Sequence, residues 1–137
     1  MIAANSATPP GSEVRGEMRA FEKSTGDKKL MSELMPVLRD RKLFYIDSRT
    51  TAATVAYDTA QHFGVRAAFR NVPFLDDVET VAAVRGQLAL AIREAVRKKS
   101  AIAIGHAHTT TLQAPKEVLP NAETQGVQLV FASELVR

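Results

Sequence analysis

The chain has no cysteine and no tryptophan. The first absence excludes disulfides, thiolate metal sites and a cysteine nucleophile. Aromatic residues make up only 6% of the 137 residues. A single-stranded nucleic-acid groove needs aromatic platforms along a dense basic stripe. Here the basic residues are scattered, with short clusters at Lys28–Lys29, Arg39–Lys42 and Arg97–Lys99, and the net charge is +3. Nucleic acid is therefore not expected as a partner. No apolar run reaches the roughly 18 residues of a membrane-spanning helix. The opening "MIAANSATPPGSE" has neither a basic start nor an apolar stretch of signal-peptide type. Taken as a complete chain, this describes a soluble cytoplasmic protein.

What is present fits one globular α/β domain. The apolar fraction is 45% and the charged fraction 24%, ordinary values for a folded chain able to bury a core. Residues 1–26 read as an irregular N-terminal arm rich in small, polar, Pro and Gly residues, with a short helical stretch near Glu17 to Lys23. The domain proper is expected over residues 27–137. Asp27 is placed to cap a helix with Leu30, Leu34 and Leu38 on one face, and Pro36 inside it removes a hydrogen bond. "LFYID" reads as a strand. A helix through Val55, Ala56, Ala60 and Phe63 follows, closed by Gly64. "VRAAFRNV" is the next strand and "PFLDD" a loop. A long helix carries Val81, Val84, Leu88, Ile92 and Val96. "AIAI" is a buried strand. A helix interrupted by Pro115 and Pro120 ends at Gly126, and "VQLVFA" reads as the last strand.

Strands alternate with helices, and the strand runs are almost wholly apolar. That is the pattern of a mostly parallel sheet covered by helices. Four strands are few for a free-standing doubly wound domain and amount to about half of a (β/α) barrel.

In parallel α/β folds chemistry collects where strands end. The first strand ends in "DSRTT" (Asp47, Ser48, Arg49), the second in "RNVPFLDD" (Arg70, Asn71, Asp76, Asp77), the third in "GHAH" (Gly105, His106, His108) and the fourth in "SEL" (Ser133, Glu134). Asp47 with Arg49 suits a polar substrate or a strand-end charge pair, and equally a helix cap. Asp76 suits tuning a histidine or binding a metal, and equally a turn before a helix. His106 has the chemistry of a general acid or base near neutral pH, or of a metal ligand. His106 and His108 point to opposite faces if the backbone stays extended, and share one ion only if the loop turns. Gly105 lets the backbone pass close to a ligand or adopt a positive φ. His62, late in a helix, is expected to be structural. A receiver-type regulatory domain also gathers acids at strand ends, but it wants an acidic pair at the first strand and a late lysine.

"FYIDSRTT" (Phe44 to Thr51), "FLDD" (Phe74 to Asp77) and "AIAIGH" (Ala101 to His106), in this order and spacing, resemble the divergent polysaccharide deacetylase family. These are bacterial relatives of the NodB-homology carbohydrate esterases, with a distorted (β/α) barrel. The resemblance runs from about Asp27 to Glu134 and covers the family's C-terminal half. The family's first half carries an Asp-Asp strand end, "HLPME" and "NHMGS". The last of these would fall at "VRGEMRAFEKSTGD", which has no histidine. Ala107 stands where the family usually has proline.

The resemblance implies a hydrolase of carbohydrate metabolism that removes N- or O-acetyl groups from sugars with a divalent metal, zinc, activating water. It implies a location outside the cytoplasm. His106 would protonate the leaving group, Asp76 would set its charge, and Asp47, Ser48 and Arg49 would line the sugar pocket. The other reading is a truncated, non-catalytic member that binds carbohydrate or a partner. An open sheet edge in half a barrel implies a homo-oligomer that covers it, or a chain prone to aggregate.

Overall fold

The computed structural model describes residues 23–137 and the backbone of residues 2–4. The expected helix near Glu17 to Lys23 lies mostly outside these residues; residues 23–26 are helical. The chain divides into two compact units.

The first unit takes residues 8–69 and 135–137. Helix α1 (Lys28–Asp40) starts where Asp27 accepts the Leu30 N–H at 3.0 Å, as the N-cap reading anticipated. It continues through Pro36. Its buried face is Met31 and Met35, with Leu34 and Leu38 beside them, while Leu30 is 44% exposed. The expected Leu30–Leu34–Leu38 stripe is thus rotated by one position. Two unbranched methionines fill the core side instead.

Strand β2 (Tyr45–Asp47), helix α2 (Ala56–His62) and strand β3 (Ala67–Phe69) form one β-α-β passage, with β2 and β3 paired in parallel. Ala56 and Ala60 are fully buried against the methionines, Val65 and Ala67. Gly64 has φ +71°, so the residue expected to close α2 takes the left-handed conformation that glycine adopts without strain. Arg137 exchanges both backbone hydrogen bonds with Ala67, at 3.0 and 3.1 Å.

The second unit takes residues 1–7 and 70–134. Strand β1 (Ile2–Ala4) pairs in parallel with β4 (Ala103–Gly105). So one piece of the stretch read as an irregular arm is extended and paired. Helix α3 (Val81–Lys98) begins at Thr80, whose hydroxyl accepts the Ala83 N–H. It buries Val84, Leu88, Ala91 and Ile92, while Val96, at the end of the expected stripe, is 48% exposed. The loop before α3 is stitched to β4. Leu75 N–H donates to Ile104 O at 2.9 Å, and the Asn71 side chain accepts the Ile102 N–H at 2.8 Å. Helix α4 (Thr109–Val118) contains Pro115, and two 3-10 turns, Leu119–Asn121 and Glu123–Gln125, follow.

Residues 127–131 correct the expectation of a last strand. They are not in a ladder with any described strand. Val127 instead closes a turn onto Ala122 O, Val127 and Leu129 line an apolar cleft with Leu88, Ala91 and Ile92, and Phe131 is 80% exposed. The short helix α5 (Ala132–Leu135) then starts, with Glu134 Oε1 accepting the Phe131 N–H. Strand propensity becomes a strand only when a neighbour supplies the other half of the ladder. Ser133 and Glu134 accordingly sit in a helix, not at a strand end. The sheet expectation holds for direction, since both pairs are parallel. Among the described residues it takes the form of two two-stranded pairs. No described helix is long and apolar enough to cross a membrane.

Candidate active site

In the second unit β4 ends at Gly105, and His106 follows it at once. Asp76 lies at the end of the stitched loop. The two meet closely: His106 N–H donates to Asp76 Oδ2 at 2.5 Å, and His106 Nδ1 lies 3.0 Å from Asp76 Oδ1. Thr111, in the first turn of α4, adds a third contact, its hydroxyl donating to Oδ2 at 2.8 Å. The Asp76 side chain is fully buried, while that of His106 is 41% exposed. Burial pushes the Asp76 carboxyl up. The hydrogen bonds from the His106 backbone, Thr111 and the His106 ring outweigh it and hold the group below the ordinary carboxylate range. Asp76 is therefore a buried carboxylate that fixes one ring nitrogen of a half-exposed imidazole. Nε2 is the nitrogen it leaves unengaged.

Gly105 is explained by this packing. A Cβ there would lie 2.8 Å from Thr111 Cγ2, 3.3 Å from Leu75 Cβ and 3.4 Å from Asp76 Oδ2. The glycine is needed for close approach within the protein, and not for a positive φ.

Phe74 stacks on the His106 ring, with centroids 5.9 Å apart and planes 26° apart. The Arg70 guanidinium sits 4.0 Å from the Phe74 centroid. Arg70 also donates to Val72 O, and Asn71 serves the loop-to-strand stitching.

Of the two alternatives left open for the histidine pair, the loop turns. The chain bends over Ala107 and His108 becomes the N-cap residue of α4. The two imidazoles then lie 5.8 Å apart, and ligand atoms of Asp76, His106 and His108 fall within 4.8 Å of one another. Glu79 Oε1 stands 3.7 Å from His108 Nε2.

Asp47, Ser48 and Arg49 belong to the first unit. Asp47 is fully buried and accepts three hydrogen bonds, from Arg49 N–H (2.9 Å), the Thr54 hydroxyl (3.0 Å) and Tyr57 N–H (3.3 Å). Tyr57 is in the first turn of α2, so Asp47 reaches across the loop to cap that helix. Burial, and then the Asp47 charge, push the Tyr45 hydroxyl up to about 12. Arg49 has φ 50°, and its guanidinium lies 3.6 Å from the Phe69 centroid. Ser48 is half-buried between them in the loop.

Thr111, Phe74 and Glu79 were not singled out from the sequence. A run of three threonines gives no sign of which one turns inward; only the helical phase of α4 decides it. Phe74 is within the "FLDD" motif, but nothing local marks it as the residue against the imidazole.

An α/β protein with a buried carboxylate orienting a histidine just past a strand end has the makings of acid–base chemistry. The comparisons name the class. The divergent polysaccharide deacetylase profile matches residues 22–136, and the chain belongs to that family. An uncharacterized protein of Haemophilus influenzae is 40% identical over 114 residues, which cover 83% of this chain and 40% of that protein. The Escherichia coli protein YibQ, also uncharacterized, is 38% identical over 106 residues, covering 77% of this chain and 33% of YibQ. The crystal structure of the uncharacterized protein ATU2773 of Agrobacterium tumefaciens superposes with a TM-score of 0.80 at 23% identity. That match spans 84% of this chain and 46% of that one, and shows the fold. The chain thus spans less than half the length of the relatives it matches.

Proposed function

We propose that this protein carries the acid–base half of a carbohydrate deacetylase site and acts in hydrolysis of N- or O-acetyl groups on sugars. The observation behind this reading is the contact of His106 Nδ1 with the buried Asp76 carboxylate at 3.0 Å. Water adds to the acetyl carbonyl carbon, and the bond from that carbon to the sugar nitrogen or oxygen breaks. His106 delivers the proton from Nε2 to the departing atom, while Asp76 keeps the ring oriented. Asp47, Ser48 and Arg49 are assigned to the sugar by the family resemblance.

The family chemistry uses a divalent metal, zinc, to polarise the attacking water. A catalytic zinc takes three protein ligands and keeps an open position. The Asp76 cluster does not fit that ion beside a working His106. Both Asp76 oxygens are engaged, His106 Nε2 is needed for the proton, and of the three clustered residues only His108 remains. The same shortage favours a second reading, a member that binds carbohydrate or a partner without turnover. A homo-oligomer goes with either reading, and the 80% exposure of Phe131 supports it; a monomer in sedimentation would count against that part.

The test is acetate release from acetylated chito-oligosaccharide and acetylated xylan by the purified chain. Turnover is expected, slowed about 10²–10⁴-fold by His106→Ala. Saturable oligosaccharide binding without turnover would select the second reading. Neither turnover nor binding would refute both.

A further inference from the structure

We propose that residues 127–131 are the docking strand for a second copy of this chain. Two copies pair antiparallel about Leu129, and the Phe131 ring of each covers the apolar cleft of the other. This rests on the homo-oligomer reading, gives it a face and a limit of two chains, and stands apart from turnover.

The hydrogen bonds of this segment alternate. Val127 N–H donates to Ala122 O, Phe131 N–H donates to Glu134 Oε1, and Phe131 O accepts the Glu134 N–H. In an extended chain the N–H and C=O of one residue point to one edge, and those of its neighbours to the other. Val127 and Phe131 thus bond back into their own unit, and Gln128 and Val130 turn their main-chain groups to the open edge. Among the described residues those groups have no hydrogen-bond partner. About a two-fold axis at Leu129 two such edges match. Gln128 meets Val130 of the second copy, Val130 meets its Gln128, and each pair exchanges both N–H···O bonds. Leu129 then faces Leu129, and Val127 faces Phe131, in the non-hydrogen-bonded pairs where side chains stand closest.

The side chains suit the same register. Val127, Leu129 and Phe131 share one side of an extended segment. Val127 and Leu129 line the cleft with Leu88, Ala91 and Ile92, while Phe131 stands clear of it at 80% exposure. Setting Phe131 opposite Val127 of the second copy brings the ring over that copy's cleft, as an aromatic–β-branched pair. Leu129, 47% exposed, is covered at the axis. Residues 126–133 carry no charged side chain, so no like charges meet across the pair. An aromatic side chain buries roughly 150–250 Å². Two rings, the cleft walls they cover and the short ladder come near the lower end of specific interfaces, about 1,200 Å². A weak dimer, with Kd in the micromolar range, is expected.

The test is sedimentation velocity of the full chain across a concentration series, with amide hydrogen exchange measured at both ends of it. A monomer–dimer equilibrium is expected. The Gln128 and Val130 amides should slow as the dimer forms, and the Leu129 amide, on the other edge of the strand, should not. Phe131→Ala removes a ring that the monomer already leaves in solvent, so the fold survives it; it should weaken dimerisation at least about 30-fold, as loss of an interface anchor does. Val130→Pro removes the outward N–H and keeps an apolar side chain; it should weaken dimerisation at least about tenfold. Leu112→Ala, at a 49% exposed apolar residue of α4, should dimerise as the parent does. Dimers that Phe131→Ala and Val130→Pro leave unchanged, or that Leu112→Ala weakens equally, overturn this face and leave the homo-oligomer reading standing. Equal slowing of all three amides overturns the register. Assembly that runs on beyond two chains overturns the closed pairing. A chain that stays monomeric at millimolar concentration overturns both the face and the homo-oligomer.

Discussion

Thr111→Val removes one oxygen from the heart of the candidate site and almost no volume. Thr111 is 4% exposed, and its hydroxyl donates to Asp76 Oδ2 at 2.8 Å. Valine fills the same space, so the cost is the hydrogen bond itself. A hydrogen bond to a charged group is worth about 1.5–3 kcal/mol net, and that is the expected loss in urea denaturation at pH 7. The effect must also depend on pH. The folded Asp76 titrates below its ordinary range, so its contribution is complete above the unfolded aspartate pKa of about 3.9 and is lost as pH falls through the lower folded value. Losing one of the three donors moves the folded pKa back up. The gap between parent and variant should therefore be constant from pH 6 to 8 and shrink below about pH 4. A variant within about 0.5 kcal/mol of the parent at every pH, the range of ordinary surface substitutions, would show that Thr111 does not hold the carboxylate, and the account of Asp76 would fall with it.

Gly105→Ala should cost about 1–3 kcal/mol, because the added methyl meets Thr111 and Leu75 in packed surroundings; thermal unfolding checks it, and an unchanged midpoint would deny the close packing. Asp47→Ala should cost at least about 1.5–3 kcal/mol, since it strands the Tyr57 and Arg49 N–H groups, with hydrogen exchange at Tyr57 as the local readout. Lys99→Gly should stabilise by about 0.5–1 kcal/mol, because Lys99 ends α3 at φ 68°; a loss in denaturant midpoint would contradict this. Asp27→Ala should destabilise α1 by about 0.5–2 kcal/mol by removing the cap on Leu30, read by circular dichroism melting.

The element order from α1 to α4, the parallel pairing, the caps at Asp27 and Gly64, and the meeting of Asp76 with His106 were legible in the sequence. Each rests on local chemistry or on a motif: a capping oxygen, a glycine at positive φ, an apolar run ending in polar groups. Three things were not legible. The α1 face was misplaced by one position because leucine and methionine are equally good core residues, and only the packed neighbours choose between them. "VQLVFA" has strand composition but found no ladder, since pairing is a property of two segments and never of one. Whether His106 and His108 share one side hung on whether the loop turns, which no local rule decides, and the bend over Ala107 brings the two rings together.

The sequence by itself determined the family and the chemistry on offer: carboxylates, imidazoles and small residues at the ends of apolar runs. Tertiary structure alone decided which oxygen faces which nitrogen. Thr111, Gly105 and Phe74 acquire their roles from contacts with residues 29 to 35 positions away in the chain, and such contacts leave no periodic trace for a sequence to carry.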